Sequence, residues 1–267
     1  MRRHVARVTA AEKIAAGGGH SVRTILDPGQ WEEADPFLLL NEDWFPPGTF
    51  GDHPHRGFET VTLVLDGTLG HRDNRGHSGI LGPGDAQWMT AGRGIIHSEE
   101  PSAGVVHSLQ LWLNLPAASK MIEPRYQDLR GSEMPVRREP GATLRVYSGS
   151  SGNVRAKTLN SVPVTMVEMR LDAGASVSQD LPAGYNGFIY IIEGGGRFGE
   201  AETIARAAQA VWLSEGDEIT IAAIEPMHAI LYAGQPLREP IAAYGPFVMS
   251  TPEQIRQAFE DFRAGRF

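Results

Sequence analysis

Short apolar runs broken by turn residues pattern this chain from end to end. Phe58 to Leu65 is a β-branched run closed by Asp66-Gly67, and Thr68 to Arg72 reads as its hairpin partner. Val106 to Leu115 alternates, with Leu109, Leu111, Leu113 and Leu115 on one face and Ser108, Gln110 and Asn114 on the other, the mark of a half-buried strand. The 31 glycines and 18 prolines that separate such runs argue for a sandwich or barrel and against a helical bundle. One helix is predicted, near the C-terminus. Thr251 serves as N-cap, Pro252 as first helical residue and Gln254 closes a capping box, while Ile255, Ala258, Phe259 and Phe262 form one apolar stripe.

The turns also repeat. Leu65-Asp66-Gly67 and Leu81-Gly82-Pro83-Gly84-Asp85 are echoed by Ile192-Glu193-Gly194 and Leu213-Ser214-Glu215-Gly216-Asp217, at offsets of 127 and 132 residues. Two copies of one antiparallel β-barrel unit fit the length. The polar segment from Arg130 to Ala142 is the expected boundary, giving domains 1–132 and 133–267.

Composition narrows the function. A charge of -8 without a basic patch argues against direct nucleic-acid binding. No window approaches 18 apolar residues, so no membrane span is expected. The absence of cysteine removes disulfides, thiolate ligands and thiol nucleophiles. Met1-Arg2-Arg3-His4 lacks the apolar run of a signal peptide, and a cytoplasmic location is the default, extending to the nucleus in a eukaryotic source.

The chemistry concentrates in His53-Pro54-His55 and His97-Ser98-Glu99. Residues i and i+2 of a strand share a face, so two strands aim three imidazoles and one carboxylate at a common point. That mixed nitrogen/oxygen set suits a divalent first-row metal with positions open to substrate, water or O2. In the second copy, counting back from the hairpin glycine puts Asp180 and Pro182 where His53 and His55 stand, and only His228 remains as a relic of His97. The second barrel is therefore expected to bind no metal. His107 shares a face with Leu109 and Leu111 and reads as a packed, hydrogen-bonded histidine, whereas His71 and His77 sit in a polar turn and read as solvated.

His53-Pro54-His55-Arg56-Gly57-Phe58-Glu59-Thr60, Pro83 to Gly94, His97-Ser98-Glu99, Arg238-Glu239-Pro240-Ile241 and Tyr244-Gly245-Pro246-Phe247-Val248-Met249 together resemble the pirin family of the cupin superfamily. The resemblance implies an all-β bicupin of two jelly-roll barrels with a metal in the first only. By motif position its ligands are His53, His55, His97 and Glu99. The metal implied is iron, Fe(II), and the donor set also suits Mn, Ni, Co, Cu or Zn. General cupins place a ligand glutamate soon after the paired histidines, which points to Glu59, whereas the pirin pattern takes its carboxylate from Glu99. Glu59 stays on the face of His55 by period two, near the metal.

The resemblance implies a quercetin 2,3-dioxygenase-type enzyme acting with O2 on flavonols or a related small aromatic hydroxy-ketone. Glu99 is then both ligand and general base. The alternative it implies is a metal-dependent co-regulator whose partner is a protein, a transcription factor or a metabolic enzyme complex. An enclosed pocket favours the enzyme, and an exposed patch favours the co-regulator.

Overall fold

The computed structural model describes all 267 residues. It contains 26 strands, the helix Pro252–Arg263 and two single helical turns, Trp31–Ala34 and Ala117–Ser119, so the chain is all-β. No helix is long and apolar enough to cross a membrane. Two compact units emerge, one of Met1–Glu12, Glu33–Pro36 and Glu133–Pro236, the other of Lys13–Glu32, Phe37–Ser132 and Leu237–Phe267. They are not the contiguous segments 1–132 and 133–267. Val5–Ala10 pairs with Gln209–Leu213 as an edge strand of the first unit, and the C-terminal segment belongs to the second.

The second unit holds a seven-stranded antiparallel sheet in the order Arg125–Leu129, Ala86–Thr90, Phe58–Asp66, Val106–Asn114, Phe37–Phe45, His20–Leu26, Lys13–Gly17. Its four-stranded sheet runs Phe50–His55, Ile95–Pro101, Leu69–Asp73, Ser78–Leu81. The first unit repeats this arrangement, with sheets of seven and four strands whose equivalent members follow the same order. This is the bicupin architecture that the resemblance implied.

The helix forms as its sequence dictates. Thr251 Oγ1 accepts from the Gln254 amide at 3.3 Å, and Gln254 Oε1 accepts from the Thr251 amide at 3.2 Å. Ile255 and Ala258 are buried and Phe259 packs beside them against Phe247 and Met249.

Two expectations about the strands fail. Leu69–Asp73 is not the hairpin partner of Phe58–Asp66, because both edges of Phe58–Asp66 are already taken by Ala86–Thr90 and Val106–Asn114. Asp66-Gly67 instead passes the chain to the other sheet, where Leu69–Asp73 pairs with Ile95–Pro101. The second glycine echo is likewise not structural. Trp212 pairs with Phe188 as Trp88 pairs with Val61, which makes Leu213 the counterpart of Met89 and not of Leu81. Gly-Asp turns recur wherever a strand ends, so a match of turn residues does not fix register.

Strand pairing sets the correspondence anew. Gln179 faces Ile219 as His53 faces His97, so His53 and His55 match Gln179 and Leu181 instead of Asp180 and Pro182. The turn after Leu181 is one residue longer than Arg56-Gly57, and that displaces the count. His228 is the counterpart of His107 and not of His97. Its Nε2–H donates at 2.9 Å to the Glu168 carboxylate, which also accepts from Arg145. His107 meets Glu42 at 2.8 Å, and Glu42 binds Arg23. Where the second unit has His97 and Glu99 the first has Ile219 and Ile221, part of an apolar core with Val177, Leu181 and Ala229.

Candidate metal centre

Phe50–His55 is an edge strand, which lets Pro54 sit within it without breaking a ladder bond. Its only neighbour is Ile95–Pro101, with His53 opposite His97 and His55 opposite Ile95. This register brings His53, His55 and His97 to one place, with one ring nitrogen from each within 4.8 Å of the others. The ring centroids are 4.4 Å apart for His53 and His97 and 4.7 Å for His53 and His55.

The backbone orients two of the rings. His53 Nδ1 lies 2.8 Å from the Gly51 carbonyl and His55 Nδ1 3.4 Å from that of Pro246. Each contact favours the tautomer with a proton on Nδ1 and leaves Nε2 as the lone-pair donor. His97 is buried and neither of its nitrogens has a hydrogen-bond partner. An unpaired buried imidazole is costly, and a metal ion satisfies it. Burial, reinforced by His53, pushes His55 down to about 3 against the opposing Pro246 carbonyl. Burial and the two neighbouring imidazoles hold His97 well below its usual range. Both rings are thus neutral at pH 7, the form that ligates. The donor set fits a single divalent ion.

The turn after His55 is fixed from behind. Gly57 has φ +87°, and a Cβ there would fall 2.0 Å from the Val248 carbonyl oxygen, so only glycine fits. The buried Lys120 ammonium donates to the carbonyls of Gly57 (2.8 Å) and Val248 (3.1 Å) and to Asn114 Oδ1 (2.7 Å). Nothing in the sequence around Lys120 signals this role. Arg56 adds a salt bridge to Asp261 at 2.7 Å and lies over the Phe267 ring.

The remaining candidates separate. Glu99 lines the same cavity as His53 and His55, but its oxygens accept from Thr62 Oγ1 (2.8 Å) and Gln110 Nε2 (2.9 Å), and it lies outside the imidazole cluster. Burial raises its carboxyl, with the Thr62 hydroxyl and His53 opposing. Glu59 is fully buried and accepts from Trp88 Nε1 (2.9 Å) and Thr90 Oγ1 (2.7 Å), away from the cluster. The Arg56-Gly57 turn moves the chain to the other sheet, which ends the period-two relation to His55. His107 stacks on Trp44 at 4.5 Å, a packed residue as read from the sequence. His77 is exposed, but His71 is buried and stacks on Tyr126, contrary to the solvated role expected of it. Leu69–Asp73 turns that side chain inward.

The cavity beside the imidazoles measures about 190 Å³. Leu39, Phe45, Phe50 and Trp112 form its apolar wall, while Asn41, Asp43, Ser108 and Gln110 supply polar groups. The polar face of Val106–Asn114 therefore looks into the cavity instead of solvent. Asp43 and its partner His20 were missed. Their signal was the alternation of Asn41 and Asp43 in Phe37–Phe45, which only becomes a site once that strand is placed beside Val106–Asn114.

Two family models match the chain, described as Pirin over residues 11–113 and Pirin C-terminal cupin domain over residues 166–267. Pirin from Homo sapiens is 44% identical over 254 residues, covering 92% of this chain and 88% of that protein. The crystal structure of GK1651 from Geobacillus kaustophilus is 53% identical with a TM-score of 0.88, covering 90% of this chain and 99% of that one. That of quercetin 2,3-dioxygenase from Acinetobacter baumannii is 32% identical with a TM-score of 0.91, covering 100% and 99%.

Proposed function

The chain belongs to the pirin family of the cupin superfamily, and from that premise we propose that it is a metal-dependent dioxygenase of the quercetin 2,3-dioxygenase type, acting with O2 on a flavonol or a smaller aromatic hydroxy-ketone. The observation that carries the reading is three imidazoles converging beside an aromatic-walled cavity that His53 and His55 line. Likeness to the Acinetobacter dioxygenase over the whole chain supports it.

His53, His55 and His97 would hold the metal, with Glu99 as fourth donor and Fe(II) the ion. A carboxylate offers about four acceptor sites, so Glu99 can turn one oxygen toward the cluster and keep a bond from Thr62 or Gln110 on the other. A divalent ion bound there supplies a Lewis acid and a template for oxygen donors. The chain's own side chains do the rest. Trp112 and Phe50 seat a flat ring and exclude water, and Asn41, Ser108 and Gln110 offer hydrogen bonds to its hydroxyls. A volume of about 190 Å³ lies below the ~300–1,000 Å³ of sites for drug-sized ligands. One or two rings fit as the cavity stands, and a three-ring flavonol needs its mouth to widen.

The test is O2 uptake by protein loaded anaerobically with Fe(II) and metal-analysed, with quercetin and with single-ring hydroxy-ketones. One O2 consumed per substrate lost is expected. No uptake with Fe, Mn, Ni or Co loaded would sink the reading.

A further inference from the structure

The oxygenase reading needs a group to take a proton from the substrate hydroxyl, and Glu99 is poorly placed for it. Both of its oxygens already accept hydrogen bonds, and serving as a metal ligand spends one of them. The unit has four other carboxylates with buried side chains, Glu42, Asp43, Glu59 and Asp73, the last held by the Arg75 and His77 amides and the His77 ring. Glu42 is engaged by Arg23 and His107, and Glu59 by Trp88 and Thr90. Asp43 differs. It lines the metal cavity, and its Oδ1 lies 2.8 Å from His20 Nε2, the one hydrogen bond it makes with a side chain.

His20 is itself held. Its ring stands edge-on to Phe50 at 5.4 Å and to Phe45 at 6.3 Å, two rings that pack together at 4.8 Å and wall the same cavity. The other copy of the fold serves as an internal control. Arg23 and Glu42 pair as Arg145 and Glu168 do, so His20 and Asp43 correspond to Ala142 and Met169, both buried in an apolar core. The fold therefore does not require the pair. It occurs in the copy that carries the imidazole cluster.

We propose that Asp43, oriented by His20, is the general base of this site and takes the hydroxyl proton of the aromatic hydroxy-ketone. The proposal rests on the oxygenase reading. The substrate O–H bond breaks, its electron pair stays on the oxygen, and its proton goes to Asp43 Oδ2. His20 keeps its Nε2–H toward Oδ1, and no electron is transferred in the step. Asp43 returns the proton to product or water as the site empties. Burial pushes the Asp43 carboxyl up and His20 opposes that. Of its other charged neighbours Glu42 adds to the rise and His107 offsets it, while His53 and Glu99 face the same cavity. A carboxylate raised toward neutrality is the better base. His20 is a positioning residue, and Asp43 the catalytic one.

Quercetin is the probe, since its ionised form absorbs at longer wavelength than the neutral one. Bound anaerobically to Fe(II)-loaded wild type, it should ionise at least one pH unit below its midpoint in Asp43→Asn of equal metal content. On admitting O2, Asp43→Asn should turn over about 10²–10⁴-fold more slowly. His20→Asn removes the donor that favours the anion, so the acid limb of its kcat/KM profile should move to higher pH with the alkaline plateau retained. A change in packing alone would lower the whole profile and leave the limb in place.

An Asp43→Asn midpoint and rate within twofold of wild type would overturn the assignment, as would loss of metal from that variant. Should Asp43→Asn not fold, an unmoved limb in His20→Asn overturns it equally. Wild type that consumes no O2 with quercetin or with any of the single-ring hydroxy-ketones would overturn the oxygenase reading itself. Normal wild-type turnover with an unaffected Asp43→Asn sinks the base alone.

Discussion

Gly57→Ala tests whether the metal centre depends on the packing behind it. At φ +87° an L-residue costs roughly 1–2 kcal/mol. The added Cβ would also lie 2.0 Å from the Val248 oxygen and 2.7 Å from Met249 Sδ, and forcing an extra methyl into a packed site costs about 1–3 kcal/mol more. The sum, about 2–5 kcal/mol, corresponds to a fall in Tm of at least ~5 °C for the unit that holds the site. Relief of the clash must also move the turn that follows His55, whose ring is oriented by Pro246 two residues before Val248. Loss of such orienting contacts typically costs about 10–100-fold in metal affinity. Gly48→Ala is the control, because Gly48 has φ +85° with nothing within 4 Å of its Cβ position. Differential scanning calorimetry and competitive chelator titration of both variants separate the clash from the backbone term. A Gly57→Ala protein matching Gly48→Ala in Tm and metal Kd would refute the reasoning.

Two further outcomes follow from named contacts. His97→Ala should lose most of its bound metal while His107→Ala keeps it, since His107 bonds to Glu42 on the sheet face away from the cavity; equal losses in two folded variants, by elemental analysis, would mean the ligand set is wrong. Burial works against ionisation of Glu168, yet its bonds to His228, Arg145 and Arg170 bring it down to about 2, so the stability it contributes is present above its unfolded value near 4.5 and is lost as pH falls toward 2. Acid unfolding should reveal this as about 2–3 kcal/mol lost over that window in wild type. A Glu168→Gln protein with the same acid limb would refute it.

The sequence carried the site further than it carried the topology. His53, His55 and His97 converge because the i, i+2 rule depends only on each strand being extended, and a short motif fixes that locally. Which strands pair is a global matter. Phe58–Asp66 offered two edges, and no local signal said that Ala86–Thr90 and Val106–Asn114 would fill them before Leu69–Asp73 arrived. Period two likewise misplaced Glu59, because one positive-φ glycine carried the chain into the other sheet. His71 failed for a related reason, its polar neighbours lying on the turn while the strand turned its own ring inward. Lys120 left no trace in the sequence, since its three acceptors come from three separate stretches of chain.

The internal repeat then separates what the fold demands from what the site demands. Arg23, Glu42 and His107 in one copy stand where Arg145, Glu168 and His228 stand in the other, and each set is closed by the same hydrogen bonds. Both lie on the face of their seven-stranded sheet opposite the interior, because Glu42 falls between the cavity residues Asn41 and Asp43 and Glu168 between the core residues Val167 and Met169. In each copy the hydrogen bonds and the arginine offset the cost of burying the acid. The interiors diverge completely. His53, His55, His97 and Glu99 are replaced by Gln179, Leu181, Ile219 and Ile221, and His20 and Asp43 by Ala142 and Met169. Without a metal to satisfy it, a polar interior of this kind is an expense in buried imidazoles and carboxylates that an apolar core avoids. The proposed metal accounts for such an interior in one copy, and the pair His20 and Asp43 occurs in that same copy beside the proposed ligands.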